Sequence, residues 1–142
     1  MIPEVYVDKE IMPLLLKANC PLERVIKQDF RPVYYTKDFN DEGWQDCDAY
    51  YIPTQAQVMK WLREVHNIVI EINMEDYMTS KNGKLQVWYS YTIWTFIRHL
   101  GETGLVDSRY DDRAFWQENV KVGQSYEETC DAAIKYTLEN LI

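Results

Sequence analysis

Apolar positions along this chain recur at two different periods, and each period marks its own kind of element. After Thr54, residues Val58, Trp61, Leu62 and Val65 follow the i, i+3, i+4, i+7 spacing of one helix face, while Lys60, Arg63, Glu64 and Asn67 repeat it on the opposite face. Thr54 with Gln57 three residues on forms a capping box, in which each side chain satisfies a backbone N–H of the first turn. Asn67 is a good left-handed terminator, and the β-branched run Ile68-Val69-Ile70 beyond it resists helix. Ser125 and Glu128 form a second box ahead of the stripe Cys130, Ala133, Ile134, Thr137, Leu138 and Leu141, with Glu127, Asp131, Lys135 and Glu139 left in water. Helices are therefore predicted over 54–67 and 125–141.

Between them the period falls to two. Asn82-Gly83 is the preferred pair of a type I′ turn, and a two-residue loop there makes opposed residues sum to 165. Ile68 then faces Ile97, Ile72 faces Ile93, Met74 faces Tyr91 and Met78 faces Val87, all on a core-directed face. The other face pairs Val69 with Phe96, Glu71 with Trp94, Asn73 with Thr92 and Tyr77 with Trp88. A hairpin over 68–78 and 85–97 follows.

Earlier segments are less regular. Pro13 to Ala18 and Pro21 to Ile26 each suggest a short helix opened by proline. Val33-Tyr34-Tyr35-Thr36 and Tyr50-Tyr51-Ile52 suggest a loose hairpin. Residues 100–124 form a long connection with a third strand expected near 116–122. The expected fold is α+β: one domain of 142 residues, with an irregular N-terminal extension over 1–52 and two amphipathic helices on one face of a small antiparallel sheet.

Charge narrows the partners. Residues 1–53 carry 6 basic and 10 acidic side chains, 54–99 carry 5 and 4, and 100–142 carry 4 and 9, for a net charge of −8. No basic stripe is present to displace counterions from a polyanion, so nucleic acid is not the expected partner. Cys20, Cys47 and Cys130 are widely separated, which points to reduced thiols rather than a thiolate metal site. Neither a signal sequence nor a membrane-length apolar run is visible, and a cytoplasmic location in a bacterial host is expected.

Chemistry-bearing constellations are sparse. Asp38, Asn40, Glu42 and Gly43 match positions 1, 3, 5 and 6 of a calcium loop, but position 12 is Ala49 and Pro32 to Tyr35 stand where a helix should enter. A solvated acidic turn is the plainer reading. His66 and His99 are the two histidines; no nucleophile motif or phosphate loop accompanies them, so neither enzyme chemistry, metal nor cofactor is expected. The best binding candidates are Tyr77, Trp88, Trp94 and Phe96 with Glu71 among them, since aromatics mixed with polar groups suit an interface that must also survive in water.

Two stretches carry a resemblance: Pro53-Thr54-Gln55 leading to Lys60-Trp61-Leu62-Arg63-Glu64-Val65-His66-Asn67-Ile68, and Ser125-Tyr126-Glu127-Glu128 continuing to Leu138-Glu139-Asn140-Leu141-Ile142. Together, over about 52–74 and 125–142, they resemble small uncharacterised proteins of prophages and other mobile elements in gut anaerobes. That resemblance implies an accessory role and carries no catalytic residues. The expected function is binding of another macromolecule, a protein or a second copy of the chain. Alternatives are nucleic-acid interaction or phosphate mimicry, and then an uncharacterised hydrolase.

Overall fold

The computed structural model describes residues 4–36, 48–79, 81–95 and 125–142, and by backbone alone 99–100, 106–107 and 113–117. The fold is α+β. A 3-10 turn over Lys9–Ile11 runs into helix α1, Met12–Lys17. Strands β1 (Val33–Tyr35) and β2 (Ala49–Tyr51) pair antiparallel, as the loose hairpin predicted. Helix α2, Gln55–His66, leads to β3 (Ile68–Thr79) and β4 (Leu85–Thr95). The two-residue strands β5 (His99–Leu100) and β6 (Val106–Asp107) pair with each other, β7 (Arg113–Gln117) joins the free side of β4, and α3 spans Tyr126–Asn140.

Local chemistry fixes the start of both long helices, with the full expected capping box at α2 and its Ser125 half at α3. The Thr54 hydroxyl accepts from the Gln57 amide at 3.1 Å and the Gln57 side chain accepts from the Thr54 amide at 2.9 Å. Asn67 closes α2 at φ 57°, its N–H donating to the Leu62 carbonyl. At α3 the Ser125 hydroxyl accepts from the Glu128 amide at 3.1 Å.

The core lies where both helices meet the β3–β4 ribbon. Val58 and Leu62 of α2, Ile68 and Ile70 of β3, Tyr91 and Ile93 of β4, and Cys130, Ala133, Ile134 and Leu138 of α3 are buried together. Two positions depart from the helical pattern. Val65 is exposed, so the α2 stripe is narrower than its spacing suggested. Asp131, expected in water, is half-buried and bonded to Gln55 of α2.

The N-terminal segment is no appendage. Val7, Ile11, Met12 and Leu15 are buried in the same core. Tyr6 bridges Thr54, and the Val5 carbonyl accepts from the Gln55 amide at 2.8 Å, satisfying one of the unpaired donors at the start of α2. Residues 21–26, read above as a second short helix, are not helical, and residues 23–25 pair with a strand instead. The Val25 amide donates to the Ala49 carbonyl and the Tyr51 amide to the Glu23 carbonyl, so this stretch lines the other edge of β2. Backbone pairing to a distant strand overrides the weak helical spacing of Leu22, Val25 and Ile26.

The register also differs from the expected one. From Ile68↔Thr95 to Met74↔Tyr89 opposed residues sum to 163, and from Asp76↔Trp88 to Thr79↔Leu85 they sum to 164, with a bulge at Glu75. The connection spans residues 80–84, and among its described residues only Gly83 takes positive φ, +75°; Asn82 does not, which excludes a type I′ turn. A shift of two residues preserves the faces, so the core assignment of Ile72 and Ile93 stands while their partners become Tyr91 and Ile70. Past the bulge the shift is one residue, and there the faces exchange. The third strand begins earlier than expected, at Arg113, and Asp38 to Gly43 lie outside the described residues.

Candidate functional site: an anchored loop and the distal ribbon

The predicted binding face divides in the structure. Trp94 and Glu71 do meet: the indole N–H donates to the Glu71 carboxylate at 2.9 Å, as a diagonal rather than an opposed pair. Asn73 likewise donates to the Thr92 hydroxyl at 2.9 Å. Ser90 and Thr92 between them are buried, so the middle of this face is packed. Trp88 shares the face, and Trp88 and Trp94 are both half-buried. Tyr77 departs from the group. The Glu75 bulge sets it opposite Val87, on the face away from Trp88, and it is 62% exposed. Phe96 lies outside the described residues.

A second surface was not visible in the sequence. Ile26 is 97% exposed and Phe30 is 92% exposed, the two most exposed large apolar side chains among the described residues. They stand on a loop whose base is tied on every side. The Arg31 guanidinium donates to Glu23 at 2.7 Å and to Asp29 at 2.9 Å, and stacks 3.7 Å over the Tyr51 ring. The Arg31 amide donates to Asp29 at 2.8 Å, and the Tyr51 hydroxyl donates to the Lys27 carbonyl at 2.7 Å. Arg31's side-chain hydrogen bonds hold the Asp29 carboxyl below its ordinary range. A planar guanidinium shared between two carboxylates and an aromatic face is a rigid fastener. Only Pro21 and the Asp29/Arg31 pair around Phe30 hint at this in sequence, and neither says which way Phe30 points.

Charges at the base of the loop are paired. Arg24, Lys27 and Arg31 stand beside Glu23, Asp29 and Asp48, with Arg24 paired to Asp48 at 3.6 Å. Ile26 and Phe30 rise from this base of paired charges.

Elsewhere the chemistry is quiet. Burial pushes the Cys20 thiol up to about 11 and the Cys130 thiol up to about 12, so neither supplies a thiolate near neutral pH. The Cys130 sulfur sits 3.3 Å from the Met59 sulfur. His66 packs edge-on against Trp61, with ring centroids 4.8 Å apart, at the end of α2. Among the described residues no cluster of His, Cys, Asp and Glu could hold a metal, and no helix is long and apolar enough to cross a membrane. A cleft of about 260 Å³ beside the loop is lined by Glu4, Tyr6, Cys20, Arg31 and Trp61, with its one arginine already engaged by carboxylates. Comparison with protein-family models, curated proteins and solved structures finds no match to this chain.

Proposed function

We propose that this chain is an accessory protein of a phage or other mobile element that works by binding another protein, and that Ile26 and Phe30 are its anchors. The observation that supports this reading is the anchored loop. Two large apolar side chains held almost wholly in water are costly unless something covers them, and burying each on a partner contributes about 1.5–3 kcal/mol. Because Arg31, Asp29, Glu23 and Tyr51 already fix the loop, little ordering entropy is lost on binding. Aromatic and aliphatic anchors on a stiff support are what interface hot spots consist of. Arg24 and Arg31 are already paired with carboxylates, which favours a protein with an apolar cleft over a phosphate backbone, which would be met by unpaired basic groups.

The test compares the full chain with an Ile26→Ser/Phe30→Ser variant as bait in cells, followed by binding measurements on the purified partner. Both side chains face solvent, so the variant should melt like the parent. Loss of the two anchors should weaken binding by at least ~100-fold. A partner bound equally by both forms, or tight binding to generic duplex DNA with a steep salt dependence, would overturn the reading.

A further inference from the structure

Helix α2 carries a second stripe that the core does not use. Ala56, Met59, Lys60 and Arg63 repeat the i, i+3, i+4, i+7 spacing on a different flank from buried Val58 and Leu62. This flank forms one wall of a groove of about 600 Å³, which Tyr126 and Cys130 of α3 line with Val5 of the N-terminal segment. The floor lies where the two helices touch: Cys130 is buried, Met59 is half-buried, and their sulfurs are 3.3 Å apart. A flexible, polarizable thioether adapts readily to an apolar guest. Val5 and Tyr126 carry the apolar lining out to the rim, where they keep 37% and 46% of their surface in water.

Charge is divided along the groove. Arg63 lies ~10.5 Å along the helix axis from Ala56 at 1.5 Å per residue. It takes part in no ion pair or hydrogen bond among the described residues. Lys60 reaches only Glu64, at 4.0 Å, and an exposed pair of that length holds it weakly. Glu4 lines the other end, next to Val5, whose carbonyl accepts from the Gln55 amide at the start of α2. Thr54 and Gln55, which also line the groove, are engaged in the cap of α2 and in the bonds to α3.

We propose that this groove binds a small amphipathic carboxylate, its head group on Arg63 and Lys60 and its tail over Met59 and Cys130 towards Val5. The volume falls within the roughly 300–1,000 Å³ of small-ligand sites, and an apolar lining with a few polar groups is their usual make-up. An unengaged guanidinium offers the planar fork that matches a carboxylate. Two cations face one acid across the groove, and Glu4 already accepts from the Tyr6 hydroxyl at 3.4 Å, so an anionic head group is favoured over a cationic one. The groove is separate from the Ile26–Phe30 loop, and the proposal stands without the protein-binding reading.

Calorimetric titration of the full chain with decanoate, below its micelle-forming concentration, tests this. The parent should bind one decanoate with a Kd of roughly 0.1–1 mM, as the modest free energy per heavy atom in an open groove implies. Butyrate, with the same head group and a short tail, should bind at least ~10-fold more weakly. The parent should prefer decanoate to decyltrimethylammonium; Arg63→Glu should weaken decanoate by at least ~10-fold and reverse that preference. Ala56→Trp, at an exposed position, should fill the groove and abolish binding while melting like the parent. Ile26→Ser/Phe30→Ser should bind decanoate as the parent does. A parent without saturable decanoate binding, an Arg63→Glu variant with unchanged preference, or an Ala56→Trp variant that binds as before would overturn the proposal. Loss of decanoate binding in Ile26→Ser/Phe30→Ser would do so by moving the site to the loop. Cosedimentation with phosphatidylglycerol vesicles by a chain that does not bind free decanoate would do so by assigning the groove to a lipid surface.

Discussion

Gln55 is the first residue of α2 and is only 6% exposed, yet it carries an amide that must be satisfied. Its Nε2 donates to the Glu127 carbonyl at 2.9 Å and to the Asp131 carboxylate at 3.0 Å, tying the start of α2 to the first turns of α3. Gln55→Leu removes both bonds, one of them to the half-buried Asp131 carboxylate. A neutral bond contributes ~0.5–1.5 kcal/mol and a charged one ~1.5–3, while the leucine returns about 1 kcal/mol by burial. The net loss at pH 7 should be about 2 kcal/mol, read by urea unfolding. Its pH dependence is the sharper test. Burial raises the Asp131 carboxyl above its ordinary value, and the bonds from Gln55 and the Asp8 amide partly offset this. A carboxyl raised in the folded state favours folding while it is protonated, and that advantage is lost as pH rises through the folded value. Without Gln55 the folded value climbs further, so the gap between variant and parent should be widest at pH 7 and narrow as the pH falls and Asp131 is protonated. Asp131→Asn keeps an acceptor for Gln55 and should abolish the pH dependence at little cost. A deficit that is constant with pH, or below ~0.5 kcal/mol at pH 7, would refute the reasoning.

Two further outcomes follow from burial. Met12→Ala removes a side chain with no exposed surface and should cost about 2–5 kcal/mol while unfolding stays a single transition; an effect near zero in a thermal melt would return residues 1–52 to the status of an appendage. In a Cys47→Ser background, native Cys130 should react with a thiol reagent more slowly than Cys20, and both far more slowly than in the unfolded chain, since burial raises them to about 12 and about 11. Native Cys130 labelled at the unfolded rate would contradict this.

The two long helices were legible because their signals are local: a Thr54 or Ser125 cap and apolar residues at helical spacing lie within one element. Register was not, because it depends on a loop whose sequence fits more than one geometry. Asn82-Gly83 suits a two-residue turn, but it equally suits a longer loop in which Gly83 alone is left-handed, and nothing in the strand marks Glu75 as a bulge. The error was partly self-correcting. Glu71–Trp94 and Asn73–Thr92 remain in contact as diagonals, since neighbours two apart share a face. Tyr77 alone among the described candidates changed sides, because it lies past the bulge. The loop was illegible for a different reason. Leu22, Val25 and Ile26 imitate a helical face, while the bonds that extend the chain there come from Ala49 and Tyr51, more than twenty residues away.

The same bulge bears on whether the edge of the sheet can recruit other strands. Within the three-stranded sheet β3 is an outer strand, twelve residues long, and such an edge invites open-ended pairing with other strands. Exposed Glu71 and the interruption at Glu75 both oppose it. The exposed apolar groups Met74, Tyr77 and Leu85 lie on the face of the ribbon instead. A face adds no strand to the ladder, whereas an edge stays open after each addition. Placing Met74, Tyr77 and Leu85 on the face, with Glu71 and the bulge on the edge strand, thus discourages a growing sheet.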